Sequence, residues 1–379
     1  MAPRTTERTV TAAIVRAAAL IGLAASMAAG RAHAEPHIAM RAGLQCNACH
    51  VNHTGGGKRN SFGVKYGLER LPARHLPLPE DVPAVEGVLT SFLSIGADFR
   101  QVNVSRFARS GDTNSFETQE GNLYMDVQLL RDRLHLYVDE RLAPGGALSR
   151  EFFALWESRE RNLYVKAGRF FPPFGTRVVD DGAFIRSNTG YNFQSPDDGV
   201  EVGWEPGGFS TSLAITNGSG GAADDNTNKR VSLLSSWAGR RFRIGGSFSS
   251  NRQGEAGVLL AGLMSGLKLG DRLVFLGEIV GGRDEHDTKT DSTRRIIAFT
   301  EMDLLVGRGW NLRGAFDYND ADTDENGDEE NRITLGAEYT AIQFVQLRFF
   351  WRRTDRPPEV HGVTFEDDRE IVLELHLFL

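Results

Sequence analysis

Both cysteines of the 379-residue chain fall within one run of five residues, Cys46-Asn47-Ala48-Cys49-His50. Two thiols at that spacing can add to the two vinyl groups of one haem, and the adjoining histidine can supply an imidazole to iron. The motif therefore predicts one covalently bound haem c, held by Cys46, Cys49 and His50. A redox dithiol should open a helix in an α/β domain, and nothing of that kind follows. A zinc site completed by His53 would crowd ligands that normally come as pairs separated by a finger-length loop. A lone disulfide needs no histidine.

The sixth iron position has three candidates. His75 follows a glycine-rich turn and is free to fold back, while His37 and Met40 approach from the N-terminal side. His53 lies only three residues beyond His50, so it is expected beside the macrocycle rather than on the iron. Gly55, Gly56 and Gly57 permit a tight turn and close approach of backbone to the ring. Lys58 and Arg59 offer positive charge to the haem propionates.

Haem attachment of this kind takes place outside the cytoplasm, and the first residues agree with export. Arg4, Arg8 and Arg16 precede an apolar stretch, Ala17 to Ala29, that ends near Ala32-His33-Ala34. Residues 1–34 read as a secretory signal, and the apolar run is too short for a membrane helix. The full chain carries a net charge of -7, and the leader holds four arginines and one glutamate, so its removal leaves -10. An acidic product does not suit nucleic-acid binding.

Residues 35–87 show no sustained periodicity and read as a compact haem module followed by the linker "LPARHLPLPEDVPAVEG". From residue 88 to 379 the pattern is different. Apolar residues recur at every second position in runs of about ten. Leu123, Met125, Val127 and Leu129 share one face, and Tyr124, Asp126 and Gln128 the other; Val345, Leu347, Phe349 and Trp351 oppose Gln346, Arg348, Phe350 and Arg352. Full charges recur mid-strand on the polar face, at Asp126, Asp139, Lys166, Glu278, Glu301, Arg313 and Glu338. That suits a wet lumen with apolar residues against lipid. The fold class is all-β, a transmembrane antiparallel β-barrel of sixteen strands, with fourteen as the alternative count. Long polar links alternate with tight turns, as an outer-membrane barrel requires, and the even count puts both chain ends in the periplasm.

The largest link, "FPPFGTRVVDDGAFIRSNTGYNFQSPDDG", is expected to fold into the lumen with Arg177, Asp180, Asp181 and Arg186. Ahead of it, "LYVKAGRFFPPFG" (163–175) resembles the segment before the third loop in the phosphate- and pyrophosphate-selective porin family. That resemblance implies an anion-selective pore using Lys166, Arg169 and Arg177, against which the abundant lumenal acids stand. The stretch "CNACHVNHTGGGKRNSFG" is similar to the single-haem head of outer-membrane porin-cytochrome proteins. In "DTDENGDEE", Asp322, Asp324 and Asn326 are spaced like a weak calcium loop, but the twelfth position is Ile333, so the closing carboxylate is missing.

These features predict electron transfer at the periplasmic mouth of a porin-like barrel in the bacterial outer membrane. The apolar band of such a barrel is about 25 Å tall, more than one macrocycle covers. The haem is therefore expected to exchange electrons with a periplasmic or multihaem cytochrome. The other reading is a porin for small solutes or ions, gated or plugged by the haem module. Lipid and lipopolysaccharide are expected partners, and a homotrimer is compatible with the sequence. Peroxide or nitrogen-oxide reduction would need an open iron position, and no distal catalytic set is evident.

Overall fold

A computed structural model describes residues 35–77, 86–108, 110–178, 180–253, 256–285, 292–357, 359–360, 363–364 and 368–379. The leader expected at 1–34 and residues 78–85 of the linker lie outside the described residues.

Sixteen antiparallel strands close into one barrel. They are β1 (Leu93–Phe107), β2 (Thr113–Leu130), β3 (Leu134–Ala143), β4 (Leu148–Glu157), β5 (Leu163–Phe170), β6 (Asp197–Trp204), β7 (Phe209–Thr216) and β8 (Arg230–Ala238). The second half comprises β9 (Phe242–Gln253), β10 (Ala256–Leu269), β11 (Leu273–Glu285), β12 (Ser292–Gly307), β13 (Trp310–Asp320), β14 (Glu330–Ile342), β15 (Val345–Asp355) and β16 (Asp368–Phe378). Each strand pairs with its sequence neighbours, and β16 pairs with β1 from Asp98↔Phe378 to Phe107↔Arg369. Closure leaves no unpaired edge, the condition for a sheet to sit in lipid. The alternative count of fourteen is excluded.

The side-chain period of two places the residues as the sequence pattern requires. Tyr137, Asp139, Lys166, Glu201 and Arg348 point inward and are buried, while Leu123, Phe152, Val202, Leu263, Leu335 and Leu373 stand outward and exposed. The exposed surface is thus the apolar one, the reverse of a soluble sandwich. Outward Trp204, Trp237 and Trp310 pack against Phe209, Phe242 and Tyr339 around the short-turn end, an aromatic girdle of the kind found at a membrane interface. The expected alternation of link lengths has two exceptions. At the long-loop end, β3 and β4 are joined by the short link 144–147, and β9 ends only three residues before β10 begins.

Residues 35–77 are not a separate body outside the barrel. They form α1 (Pro36–Ala42), a 3-10 turn (Cys46–Ala48) and α2 (Ser61–Arg70), seated within the lumen at the short-turn end. From the other end, residues 171–196 with α3 (Phe184–Ser187) fold inward as expected. Phe174, Val178, Ala183, Phe184, Ile185 and Tyr191 pack against the inward Leu260, Val280, Ile297 and Phe299.

Candidate functional site

The Cys46–His50 segment owes its shape to its neighbours. Pro36 at the first turn and a left-handed Gly43 delimit α1. The 3-10 turn then brings the Cys49 and His50 amides to the Cys46 carbonyl, each at 3.1 Å. Asn60 holds this loop to α2. Its Oδ1 accepts from the Gly63 amide at 2.9 Å, and its Nδ2 donates to the carbonyls of Asn47, Ala48 and His50. At Gly63 a Cβ would overlap the Cys49 carbonyl, so only glycine lets the helix pack this closely.

Gly55, Gly56 and Gly57 all adopt positive φ, of 87°, 81° and 61°. Their close approaches are to Cys46, to Arg177 and to the Tyr137 hydroxyl respectively, and a Cβ on Gly57 would overlap that hydroxyl. The triple glycine therefore threads the module beneath the barrel wall.

Cys46 and Cys49 are free thiols, both half-buried. With His50, Met40, Gly55 and Arg59 they line a pocket that opens into the lumen. His50 Nδ1 is buried with no hydrogen-bond partner. Burial, with Arg59 and Arg177 nearby, pushes the imidazole pKa down to about 4, so the ring is neutral, as an iron ligand must be. Burial and the neighbouring Cys46 raise the Cys49 thiol. These residues fit a covalent haem.

The other expected residues separate. Met40 lines the same space and is packed on Val274 and Leu276. His37 turns away to the wall, with Nδ1 3.6 Å from Asp303 Oδ1. His75 sits at the rim beside Arg308, 3.2 Å away, and does not line the space. Arg59 lines it and lies over the Phe378 ring, whereas Lys58 is buried with Nζ on the Arg59 carbonyl. In the acidic loop, Asp322 and Asp328 accept backbone amides at Asp324 and Asp322, which already occupies part of the oxygen set offered to calcium.

Docking of the module was not legible in the sequence. His53 stacks on Tyr164 with ring centroids 4.2 Å apart. Its Nδ1 lies 2.7 Å from Glu205 Oε2 and its Nε2 3.0 Å from Glu157 Oε1. Burial works to lower its pKa, but the two carboxylates prevail and raise it. Asn52 donates to Glu151 at 2.8 Å and accepts from Lys166 at 3.0 Å. Arg348 pairs with Glu35 and holds that carboxyl well below its usual range against the opposing effect of burial. At the rim, the Ala73 and Arg74 amides donate to the carbonyls of Thr340 and Ala341.

The module and the inward loop meet where Arg177 donates to the Gly55 carbonyl. Asp180 bridges Arg332 and Arg352, each at 3.1 Å, and Arg186 and Asp181 are buried. The three cations suggested for anion selectivity are all engaged: Lys166 with Glu201, Arg169 with Asp198, Arg177 with Gly55.

The fold has solved counterparts. An anion-selective porin from Comamonas acidovorans superimposes with a TM-score of 0.61 at 10% identity, over 76% of this chain and 99% of that one. OmpT of Vibrio cholerae gives 0.58 at 10% identity, over 76% and 99%. OprB of Pseudomonas putida gives 0.55 at 10% identity, over 78% and 96%. The barrel has the porin fold. No protein-family model and no curated protein matches the sequence. The identities are too low to carry function, so the porin barrel's contents have to be interpreted from their own chemistry.

Proposed function

We propose that this chain is an outer-membrane porin-type channel whose lumen is plugged from the periplasmic side by its own haem-bearing module. The observation that carries this reading is the position of residues 35–77 inside the barrel, meeting the inward loop at Gly55 and Arg177. The short-turn end of such barrels faces the periplasm, which is the side the module enters. Cys46 and Cys49 would hold haem through thioethers and His50 would ligate its iron; of His37, Met40 and His75, only Met40 lines the pocket beside them. Bound there, the haem supplies one-electron redox chemistry. Arg59 and Arg177, which line the pocket, would offer positive charge to its propionates, and the contacts with Glu157, Glu205 and Glu151 hold the module in place.

The barrel's apolar surface is proposed to contact lipid and lipopolysaccharide. A homotrimer is proposed as its assembly; one OmpT structure of Vibrio cholerae is of a trimer form. Planar-bilayer recordings test the plug. The full chain should give small or rare openings, and removal of residues 35–87 should give large steady ones. Equal conductance would overturn the reading.

A second reading, electron transfer to a periplasmic or multihaem cytochrome, draws on one observation. The space beside Cys46 and His50 is bordered by Arg177 of the inward loop as well as by the module, so a haem there lies within the barrel. Rapid haem reduction by a small soluble cytochrome in a barrel that passes no ions would favour this reading. A haem reduced only after the module is released would exclude it.

A further inference from the structure

His37, set aside by the haem space, lies in a second cluster. His37 on α1 and Glu301 and Asp303 on β12 place one ligand atom each within 4.8 Å of one another, and all three side chains are buried. The imidazole is short of a partner. His37 Nδ1 is buried without a hydrogen bond, since the 3.6 Å between it and Asp303 Oδ1 is too long for one, while the Glu301 and Asp303 carboxyls hydrogen-bond each other. Buried polar atoms are normally satisfied, and a bound ion is one way to satisfy a buried imidazole nitrogen.

The surroundings are densely charged. Arg313 binds the other oxygen of Glu301 and lies 3.5 Å from Glu338. Asn311 donates to Asp303 Oδ1 and to Glu338, at 2.8 and 3.2 Å, and its own Oδ1 accepts from Arg41. Three carboxylates, Glu301, Asp303 and Glu338, thus share the neighbourhood of His37 with the guanidinium groups of Arg313, Arg41 and Arg348, the last 3.7 Å from Glu338.

We propose that His37, Glu301 and Asp303 bind a divalent transition-metal ion. One imidazole and two carboxylates suit zinc, manganese or ferrous iron. Metal bonds to such ligands are about 2.0–2.2 Å, so the three side chains close in by small rotations. Three protein ligands leave a position for water, and no haem is required for the site to form. The ion would fasten α1, and with it the module, to β12 of the wall.

Zinc is the probe. The full chain, folded in detergent and stripped with a chelator, is dialysed against Zn2+ and its metal content measured. One equivalent is expected to bind. Affinity should fall at least tenfold in His37→Gln and in Asp303→Asn, and stay unchanged in His75→Gln and Asp322→Asn. Heat-modifiable electrophoretic migration shows that each variant barrel is folded. X-ray absorption of the zinc-loaded native protein gives a second readout that needs no variant, with nitrogen and oxygen neighbours expected. Sulfur neighbours would place the zinc at Cys46 and Cys49 and overturn the proposal. So would binding that survives His37→Gln, or binding lost equally in Asp322→Asn.

Discussion

Two segments fill this lumen, and they are held there by opposite chemistry. The inward loop buries Phe174, Val178, Ile185 and Tyr191 against Leu260, Val280, Ile297 and Phe299. The module docks chiefly through polar groups: His53 between two glutamates, Asn52 on Glu151 and Lys166, and Glu35 on Arg348. Apolar burial does not depend on protonation, whereas the module's contacts do. The loop, although Asp180 also pairs with Arg332 and Arg352, is thereby the filling less dependent on pH, and the module is the one whose seating responds more to conditions.

The largest effect expected from this contrast lies in the loop. Phe174→Ala removes a buried ring stacked 4.4 Å from Tyr191 and should cost about 3–5 kcal/mol, read as earlier barrel melting at any pH. Asn60→Ala acts on the module alone. It removes the α2 cap and three bonds to the Cys46–His50 loop, for about 1–2 kcal/mol. Protease cleavage within 35–77 should rise while barrel melting stays unchanged.

His53 provides the pH arm. Its folded pKa is raised, so its contribution is fully present below the unfolded value of about 6.5 and is lost as pH rises through the folded value. Cleavage of the module should therefore increase above neutrality, and His53→Gln should flatten that dependence. The smallest effect belongs to Arg177→Ala. It deletes the contact between the two fillings and should cost about 1 kcal/mol, seen as a slight increase in channel openings. A pH-dependent loop, or a module indifferent to His53, would break the contrast.

The same contrast explains what could be read from the sequence. The wall was legible because inward and outward residues alternate strictly, as Leu123 and Tyr124 or Leu347 and Arg348 do, and a slip of one residue would put charge in lipid. The Cys46–His50 motif was legible because its chemistry is local. Docking was not, because it joins residues far apart in the chain, as His53 joins Glu157 and Glu205, with no periodic signal. Gly63 and Gly67 also weaken the helical pattern of α2, although Asn60 just before it is a recognisable cap. His37 was offered to iron on proximity in sequence alone, whereas its place in the fold is set by the wall.

Amide hydrogen exchange of the folded full chain at about pH 6, where His53 is held charged, tests the central claim most directly. The Val51 and Lys58 amides are bonded within the lumen, to the Lys58 carbonyl and the Tyr137 hydroxyl. They should exchange as slowly as amides of β3 and β4. Exchange as fast as that of the amide of Asn326, an exposed residue of the acidic loop, would place the module outside the barrel and contradict the account.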